Sequence, residues 1–281
     1  MSVRTTHEGL TLRVDGALPL LGRIGAVAGN TLREAGRNRL FYGMLGVTVL
    51  LLGFSIVLSD LALTDQKLRL LTDFGLATIP LVGVATALLL GAVLLYKEID
   101  RKTLYAILPK PIRRSEFLLG KFVGLALLLL GQLVTLGLCW AAVLHLRGGG
   151  FSLVLAEALA LSYVEIVLVT AVALFFSALS RPVLSGVLTL GVFLVGRVTY
   201  VINDLMQATK GVFVEVPAMR SLARVLVAVI PDLSTFNIAD ELQAGVAVAP
   251  AYLLHATLYG VSWIGFFVIL SLIIFERRDL V

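Results

Sequence analysis

Long apolar runs separated by short polar connections dominate this sequence. An α-helix needs about 20 mostly apolar residues to cross a hydrocarbon core of about 30 Å. Six runs meet that requirement and predict six transmembrane helices, over Phe41–Ser59, Phe74–Tyr96, Phe117–Leu146, Leu153–Leu179, Val183–Ile202 and Tyr252–Phe275. The predicted fold class is therefore an all-α integral membrane protein with six transmembrane helices.

The composition agrees with this pattern. Hydrophobic residues make up 59% of the chain and charged residues 15%, and the mean hydropathy is +0.99. Soluble domains usually carry about 45–50% apolar and about 25% charged residues. Six spans with short connections account for most of the 281 residues, so we expect no additional soluble domain.

The N-terminal part of the chain differs from the spans. Residues 1–19 are polar and mixed in charge, and we expect a cytoplasmic tail there. Residues 20–40 predict an amphipathic helix at the membrane interface, because apolar residues recur at three- and four-residue steps while Arg23, Arg33 and Arg37 fall elsewhere. Residues 41–281 form the predicted six-span domain.

The connection between the fifth and sixth spans, residues 203–250, is longer than the others. Pro217, Pro231 and Gly245 interrupt it, and Met219–Ile230 predicts an amphipathic helix. Non-helical backbone at membrane depth requires protein or water around it. We therefore expect short helices that lie at the outer face or dip into it.

Lysine and arginine counts predict the orientation. With the N-terminus inside, the cytoplasmic pieces carry 15 of these residues and the outer pieces carry 6. Positive residues concentrate on the cytoplasmic side of membrane proteins, so both termini are predicted to be cytoplasmic and the protein to lie in the inner (plasma) membrane. The net charge of +5 then reflects topology, and we expect no nucleic-acid partner.

The connection between spans two and three, residues 97–116, is short and highly charged. Leu104, Ile107 and Leu108 share one helical face, and Pro109 and Pro111 end that helix. An amphipathic helix followed by two prolines favours a docking segment for a soluble partner over a simple positively charged anchor. The third span follows, and Ser115 is its predicted N-cap, with the next residue a glutamate at the positive end of the helix dipole.

Three segments carry a resemblance to the permeases of ATP-binding-cassette (ABC) transporters of the type-2 exporter class. The charged loop is the most specific of them, and the other two lie before the last span and at the C-terminus. They are Glu98–Leu104 with Pro109–Pro111 and Arg114–Lys121, then Ile230–Asn237, and Phe275–Leu280. The six-span layout extends the resemblance over nearly the whole chain.

The resemblance implies a division of labour between subunits. In that family the helix after span two is the coupling helix, which seats in the ATPase subunit, and an interfacial helix flanks it. Leu21–Arg39 is the implied interfacial helix, and the implied coupling residues are Glu98, Ile99, Asp100, Arg101, Lys102, Leu104, Tyr105, Ile107 and Leu108. The implied partners are two copies of an ABC ATPase subunit, a second permease subunit (identical or different) and the lipid bilayer.

The chain lacks the sequence of an ATPase. A phosphate-cradling loop has the pattern G-x-x-x-x-G-K-[ST], whereas the Gly120-Lys121 pair is followed by Phe122 and is preceded by Ser115 at the first glycine position. We therefore expect this chain to be no enzyme and to bind no cofactor, with ATP and Mg²⁺ held by the partner subunit. The three histidines are scattered and predict no metal site.

Ionisable residues within spans are candidates for function, because a central charge costs about 2.5–3.5 kcal/mol on insertion scales. Glu165 is the deepest, and Glu157 lies about two turns earlier on much the same face. Arg197 in span five would neutralise Glu165 if the two spans are neighbours. Such a pair is either structural or part of a substrate or proton path. Lys121, near the start of span three, is expected to extend to the interface.

Four interpretations remain open at this level. The first is the permease subunit of an ATP-driven exporter, and the second is a gradient-driven secondary transporter that uses Glu165. An intramembrane enzyme would need a convergent catalytic set that the sequence does not show. A membrane anchor that transmits force from an ATPase without transport is the fourth. The substrate is not indicated by any motif.

Overall fold

The computed structural model describes residues 20–62, 66–100, 113–149, 153–207, 216–239 and 248–277. Within these ranges the chain is helical and contains no β-strand. The helices are α1 Leu20–Gly36, α2 Arg39–Leu61, α3 Lys67–Asp100, α4 Arg114–Leu146, α5 Leu153–Leu179, α6 Pro182–Gln207, α7 Pro217–Val229 and α8 Pro250–Arg277.

Six of these helices are long and apolar enough to cross a membrane, namely α2, α3, α4, α5, α6 and α8. The six-span prediction is confirmed in number and order. The fourth predicted span has the observed bounds, Leu153–Leu179, while α3 begins at Lys67 instead of Phe74. Polar first and last turns account for the longer helices, because charged side chains at span ends extend to the headgroup region without interrupting the helix.

The predicted N-cap of the third span is wrong by two residues. The helix α4 begins at Arg114, and Arg113 is its N-cap. The Glu116 carboxylate accepts a hydrogen bond from the Arg113 backbone N–H at 3.1 Å. A carboxylate three residues into a helix that accepts from the cap residue satisfies one of the free N–H groups there, so Ser115 is not needed as a cap.

Part of the predicted coupling helix lies outside the described residues. The backbone of α3 continues without interruption through Glu98, Ile99 and Asp100, four residues past the predicted end of the span. Residues 101–112, the tail 1–19 and residues 278–281 are not described. The role assigned to Glu98–Leu108 therefore stays a prediction.

The helices α3 and α5 form the centre of the bundle. In the most apolar stretch of each, 67% of the residues are buried inside the chain, against 11% in α2 and 22% in α8. Gly83 and Gly91 of α3 permit this approach, because a Cβ atom on either would lie 2.4 Å from Ile166 Cδ1 or 3.1 Å from Ala173 Cβ of α5. Small residues at a contact let helix backbones come close in a membrane, where packing drives association.

The helix α1 packs along the first third of α4. A Cβ atom at Gly120 would lie 2.5 Å from Val27 Cβ, and one at Gly124 would lie 2.7 Å from the Ala28 carbonyl oxygen. Arg23 of α1 forms an ion pair with Glu116 at 3.4 Å, and the Glu116 side chain is only 3% exposed. We call the end of the bundle that carries α1 the proximal end and the opposite end the distal end.

An exposed ion pair joins the ends of α2 and α4 at the distal end of the bundle. Arg147, which follows α4, contacts Asp60 near the end of α2 through both terminal nitrogens, with Nη2 3.1 Å from Oδ2. This hydrogen bond raises the pKa of the Arg147 guanidinium above its ordinary value. Exposed ion pairs contribute little to the free energy of unfolding. We therefore expect this pair to orient the ends of α2 and α4 without adding much to stability.

Replacing Gly124 by leucine tests the contact between α1 and α4. The new side chain meets backbone atoms of α1, so we expect α1 to separate from α4 with a loss of about 1–3 kcal/mol, the range typical of overpacking. Thermal unfolding of the detergent-solubilised chain measures the effect. The matched control is Gly131→Leu on the same helix, where an added Cβ meets nothing within 4 Å. Equal melting temperatures for the two variants would contradict the contact.

Candidate functional site: a buried ion pair beneath a re-entrant segment

Glu165 of α5 and Arg197 of α6 form an ion pair in the interior of the bundle. Arg197 Nη1 lies 2.8 Å from Oε1 and 2.9 Å from Oε2 of Glu165 and donates to both. The Glu165 side chain is 2% exposed, whereas the Arg197 side chain is 30% exposed. The pairing predicted from the two span charges is confirmed, and it requires α5 and α6 to be neighbours.

The Arg197 side chain opens onto a small cleft. Ala158, Ser162 and Glu165 lie on its α5 wall, and the other residues come from α3, α6 and the segment that precedes α8. The cleft has a volume of about 10 Å³, and its lining is completed by Leu76, Pro80, Phe236, Asn237, Ile238 and Ala239. Four separate parts of the chain therefore converge on one buried charge pair.

Pro80 marks a break in the hydrogen bonding of α3 beside this cleft. Proline has no backbone N–H, so the carbonyl of Leu76, four residues earlier, lacks its helical partner. Both residues line the cleft. A proline inside a transmembrane helix is tolerated where neighbouring groups or water satisfy the freed carbonyl, and a cleft that already holds a guanidinium is such a place.

The segment that follows α6 descends from the distal end towards this pair. Arg220 Nη2 of α7 donates to the Met206 carbonyl at 3.3 Å, and the Leu233 N–H donates to the Gly196 carbonyl at 3.0 Å. Met206 and Gly196 are ten residues apart on α6, which is about 15 Å along a helix axis. The chain thus runs down α6 from near its distal end to the level of Arg197.

The same segment then returns towards the distal end. The Asp232 N–H donates to the hydroxyl of Tyr259 at 2.7 Å, and the Thr235 carbonyl accepts from the hydroxyl of Tyr252 at 2.8 Å. Tyr252 is seven residues nearer than Tyr259 to the distal end of α8, about 10 Å along the helix. We therefore call residues 217–239 the re-entrant segment. The descent and return are observed relative to the neighbouring helices, and the expectation that this connection lies at or dips into the outer face stays a prediction.

Local sequence fixes the turn of the re-entrant segment. Asp232 Oδ1 accepts from the Ser234 N–H at 2.9 Å, which holds a turn that leads into the 3₁₀ helix Ser234–Phe236. Gly196 lies against this turn, because a Cβ atom there would be 2.7 Å from the Pro231 carbonyl oxygen. A glycine directly before Arg197 therefore lets the turn sit on the backbone of α6.

Phe236 anchors the returning limb of the segment. Its side chain is 1% exposed, and its ring lies 6.3 Å from that of Tyr259. A Cβ atom at Gly260 would lie 3.0 Å from the Phe236 ring. The last span thus presents a flat surface to Phe236, and the next residues, Asn237 to Ala239, form one wall of the cleft.

Other charged residues singled out from the sequence lie apart from this site. Glu157 is half-buried and is not among the residues that line the cleft. Lys121 does not extend outward as expected, because it is 2% exposed and its Nζ lies 5.3 Å from the centre of the Phe117 ring. The helix α1 covers this part of α4, which the sequence pattern of α4 alone does not reveal.

Polar contacts also tie α3 to its neighbours nearer the proximal end. Ser177 Oγ of α5 donates to the Gly91 carbonyl at 3.3 Å and lies 2.8 Å from Ser185 Oγ of α6. Gln132 Nε2 of α4 donates to Thr86 Oγ1 at 3.1 Å. Sequence analysis missed these residues, and Pro80 as well, although an interior proline was a visible signal.

The architecture and the ion pair define a polytopic membrane protein with a polar site in its interior. The family model described as ABC-2 family transporter protein matches residues 25–280, and the chain belongs to this family. The resemblance named from three segments is thereby confirmed, and family membership indicates an ABC transporter permease, a membrane transport component. No curated protein matches the chain.

Separate replacement of the two charges should have unequal effects. Arg197→Gln leaves a carboxylate buried without its partner, and breaking a buried pair in this way costs about 3–5 kcal/mol. Glu165→Gln leaves the partly exposed Arg197, which can turn towards the cleft, so we expect a smaller loss. Equilibrium unfolding in mixed detergent micelles measures both, and the double variant should recover part of the loss.

The exposed pair at the distal end supplies the control. Arg147→Gln removes a guanidinium of the same kind from Asp60, and we expect a much smaller change in the free energy of unfolding because that pair is solvated. A double variant of Glu165 and Arg197 whose loss equals the sum of the single losses would contradict the pairing.

Proposed function

We propose that this chain is the permease subunit of an ATP-driven ABC exporter, which moves a substrate across or out of the membrane. A separate ATPase subunit hydrolyses the ATP and binds its Mg²⁺. Two copies of that ATPase and a second permease subunit, identical or different, complete the transporter. The observation that carries the proposal is membership of the ABC-2 transporter family over residues 25–280.

The path of α3 supports a transmission role. This helix is continuous from Pro80, which lines the cleft, to Asp100 in the charged connection. The distance from Pro80 to Asp100 is 20 residues, about 30 Å of helix. A rigid element of this length carries a displacement at one end to the other, and the coupling residues Glu98–Leu108 begin within its last turn.

The contacts of α3 would pass such a displacement to the buried pair. Gly83 and Gly91 pack against α5, and Ser177 of α5 donates to the Gly91 carbonyl. Glu165 lies twelve residues before Ser177 on the same helix. When ATP closes the partner ATPase dimer, movement of the coupling residues would therefore shift α3 and α5 together and change access to the cleft.

The orientation in this proposal follows the distribution of lysine and arginine. The proximal end, which carries α1 and residues 97–116, is the cytoplasmic end, and both termini are cytoplasmic. The helix α1 is the interfacial helix in this proposal. Its contact with Gly120 and Gly124 of α4 and the Arg23–Glu116 ion pair support a position next to the start of α4, which follows the coupling connection. The protein is placed in the inner (plasma) membrane.

Purification of the tagged chain from native membranes tests the proposal. We expect an ATPase subunit to co-purify in stoichiometric amount and to hydrolyse ATP in the complex. A chain that purifies alone, without ATP hydrolysis, would contradict the proposal and favour gradient-driven transport through Glu165. An active complex that moves no substrate from the same membranes would identify a force-transmitting anchor.

Substitution within the coupling residues gives a sharper prediction. Leu104→Asp places a charge on the apolar face of the coupling helix, so we expect loss of the ATPase from the purified complex while the chain still inserts in the membrane. Deletion of Glu98–Leu108 should have the same result. The matched control is Leu146→Asp at the distal end, where leucine is 84% exposed. Retention of the ATPase by the Leu104 variant would contradict the coupling assignment.

A further inference from the structure

An open apolar groove borders the re-entrant segment at Ala228–Pro231 and shares no lining residue with the cleft. It has a volume of about 430 Å³ and is bounded by α5, α6, α8 and the junction between α7 and the turn. Five aromatic residues contribute to its lining, Phe175, Phe176, Trp263, Phe266 and Phe267. Its size falls within the range of pockets that bury small ligands, about 300–1,000 Å³, and its aromatic walls suit a hydrocarbon chain.

A stripe of two arginines leads along α7 to the rim of this groove. Arg220, Arg224 and Ala228 recur at four-residue steps and share one side of the helix, and Ala228 lines the groove. Arg220 is held at the Met206 carbonyl. Arg224 is exposed and forms no hydrogen bond or ion pair with any residue that the structure describes. Its Cα lies about 6 Å along the helix from that of Ala228.

A cation with no partner among the described residues can be neutralised by an anion from the membrane. An arginine near hydrocarbon is costly unless it is neutralised, and a lipid phosphate at the interface is a suitable acceptor of its N–H groups. A ligand that fits both features has a phosphate at one end and an apolar chain at the other. Two adjacent arginines additionally favour a headgroup with net negative charge.

We propose that Arg224 and the aromatic groove form a binding site for an anionic phospholipid. The phosphate lies at Arg224 and Arg220, and one acyl chain occupies the groove against Trp263 and Phe266. The lipid comes from the leaflet at the distal end of the bundle, because α7 descends from that end. The site does not depend on ATP coupling, and it borders the turn at Pro231 that seats on Gly196 beside the buried ion pair. Bound lipid therefore stabilises the re-entrant segment in its described position.

The chain contains a second groove that serves as an internal control. It lies between α4 and α5, has a volume of about 350 Å³ and is also apolar. Neither groove has a basic residue in its own lining, but no lysine or arginine lies within four residues of this lining in the chain, as Arg224 does of Ala228. Lipid tails from the surrounding bilayer enter either groove without regard to headgroup. Only the groove beside Arg224 should prefer an anionic headgroup.

Photolabelling of the full chain in lipid vesicles tests the site. The chain is reconstituted in phosphatidylcholine vesicles that contain a phosphatidylglycerol with a diazirine on its acyl chain, and labelled residues are mapped by mass spectrometry. We expect labels around Trp263 and Phe266, with unlabelled phosphatidylglycerol a better competitor there than phosphatidylcholine. Arg224→Gln should reduce this labelling about fivefold, equivalent to about 1 kcal/mol for one basic residue near an anionic lipid, and Arg224→Lys should restore most of it.

Labelling of the groove between α4 and α5 should be unchanged by these substitutions. Ala228→Trp, which fills the rim of the aromatic groove, should remove the label there without affecting the control groove. The proposal is overturned if the wild-type chain takes no label around Trp263. It is equally overturned if both grooves label alike, with no preference for phosphatidylglycerol and no effect of Arg224→Gln. If no ATPase co-purifies with the chain, the proposed function is contradicted, whereas the labelling around Trp263 is unaffected.

Discussion

The ion pair between Glu165 and Arg197 is the constraint on which the rest of the site depends. A carboxylate that is 2% exposed within a bundle of apolar helices is tolerated only when a partner neutralises it and donates hydrogen bonds. The partner is on another helix, so α5 and α6 must keep one relative register along the pair. The re-entrant segment and α3 close around these charges, and the cleft is what remains between them.

Glycines at a few contacts make this arrangement possible. Gly196 lets the turn of the re-entrant segment rest on α6 directly beside Arg197, and Gly260 gives Phe236 a surface on α8. Gly83 and Gly91 bring α3 against α5. In a membrane the lipid competes for apolar contact as well as any side chain does, so close packing and internal hydrogen bonds determine which helices associate.

The sequence was sufficient for the spans, because apolar runs of the right length located six helices. It indicated the ion pair only on the condition that the two spans are neighbours, and the structure meets that condition. The predicted N-cap of α4, Ser115, was wrong. The helix begins earlier because the Glu116 carboxylate accepts a hydrogen bond from the backbone N–H of the N-cap residue, Arg113. Lys121 was misjudged because its burial depends on tertiary packing around the first turns of α4, which the pattern of α4 itself does not encode. The cleft could not be predicted from the sequence, because residues of α3, α5, α6 and the re-entrant segment form it together. Such long-range contacts are not encoded in the hydrophobic periodicity of any one helix.

In the proposed transporter, α3 connects the coupling residues at one end with the cleft near the other. The most direct test measures movement at the distal end in the complex with the ATPase. Spin labels at Leu68 and Val216, which are 40% and 42% exposed, report the separation of α3 from the start of the re-entrant segment, in a Cys139→Ser background that removes the free cysteine. The account predicts that ATP shifts the measured distance distribution between the two labels. An identical distribution with and without ATP, in a complex that hydrolyses it, would contradict the account.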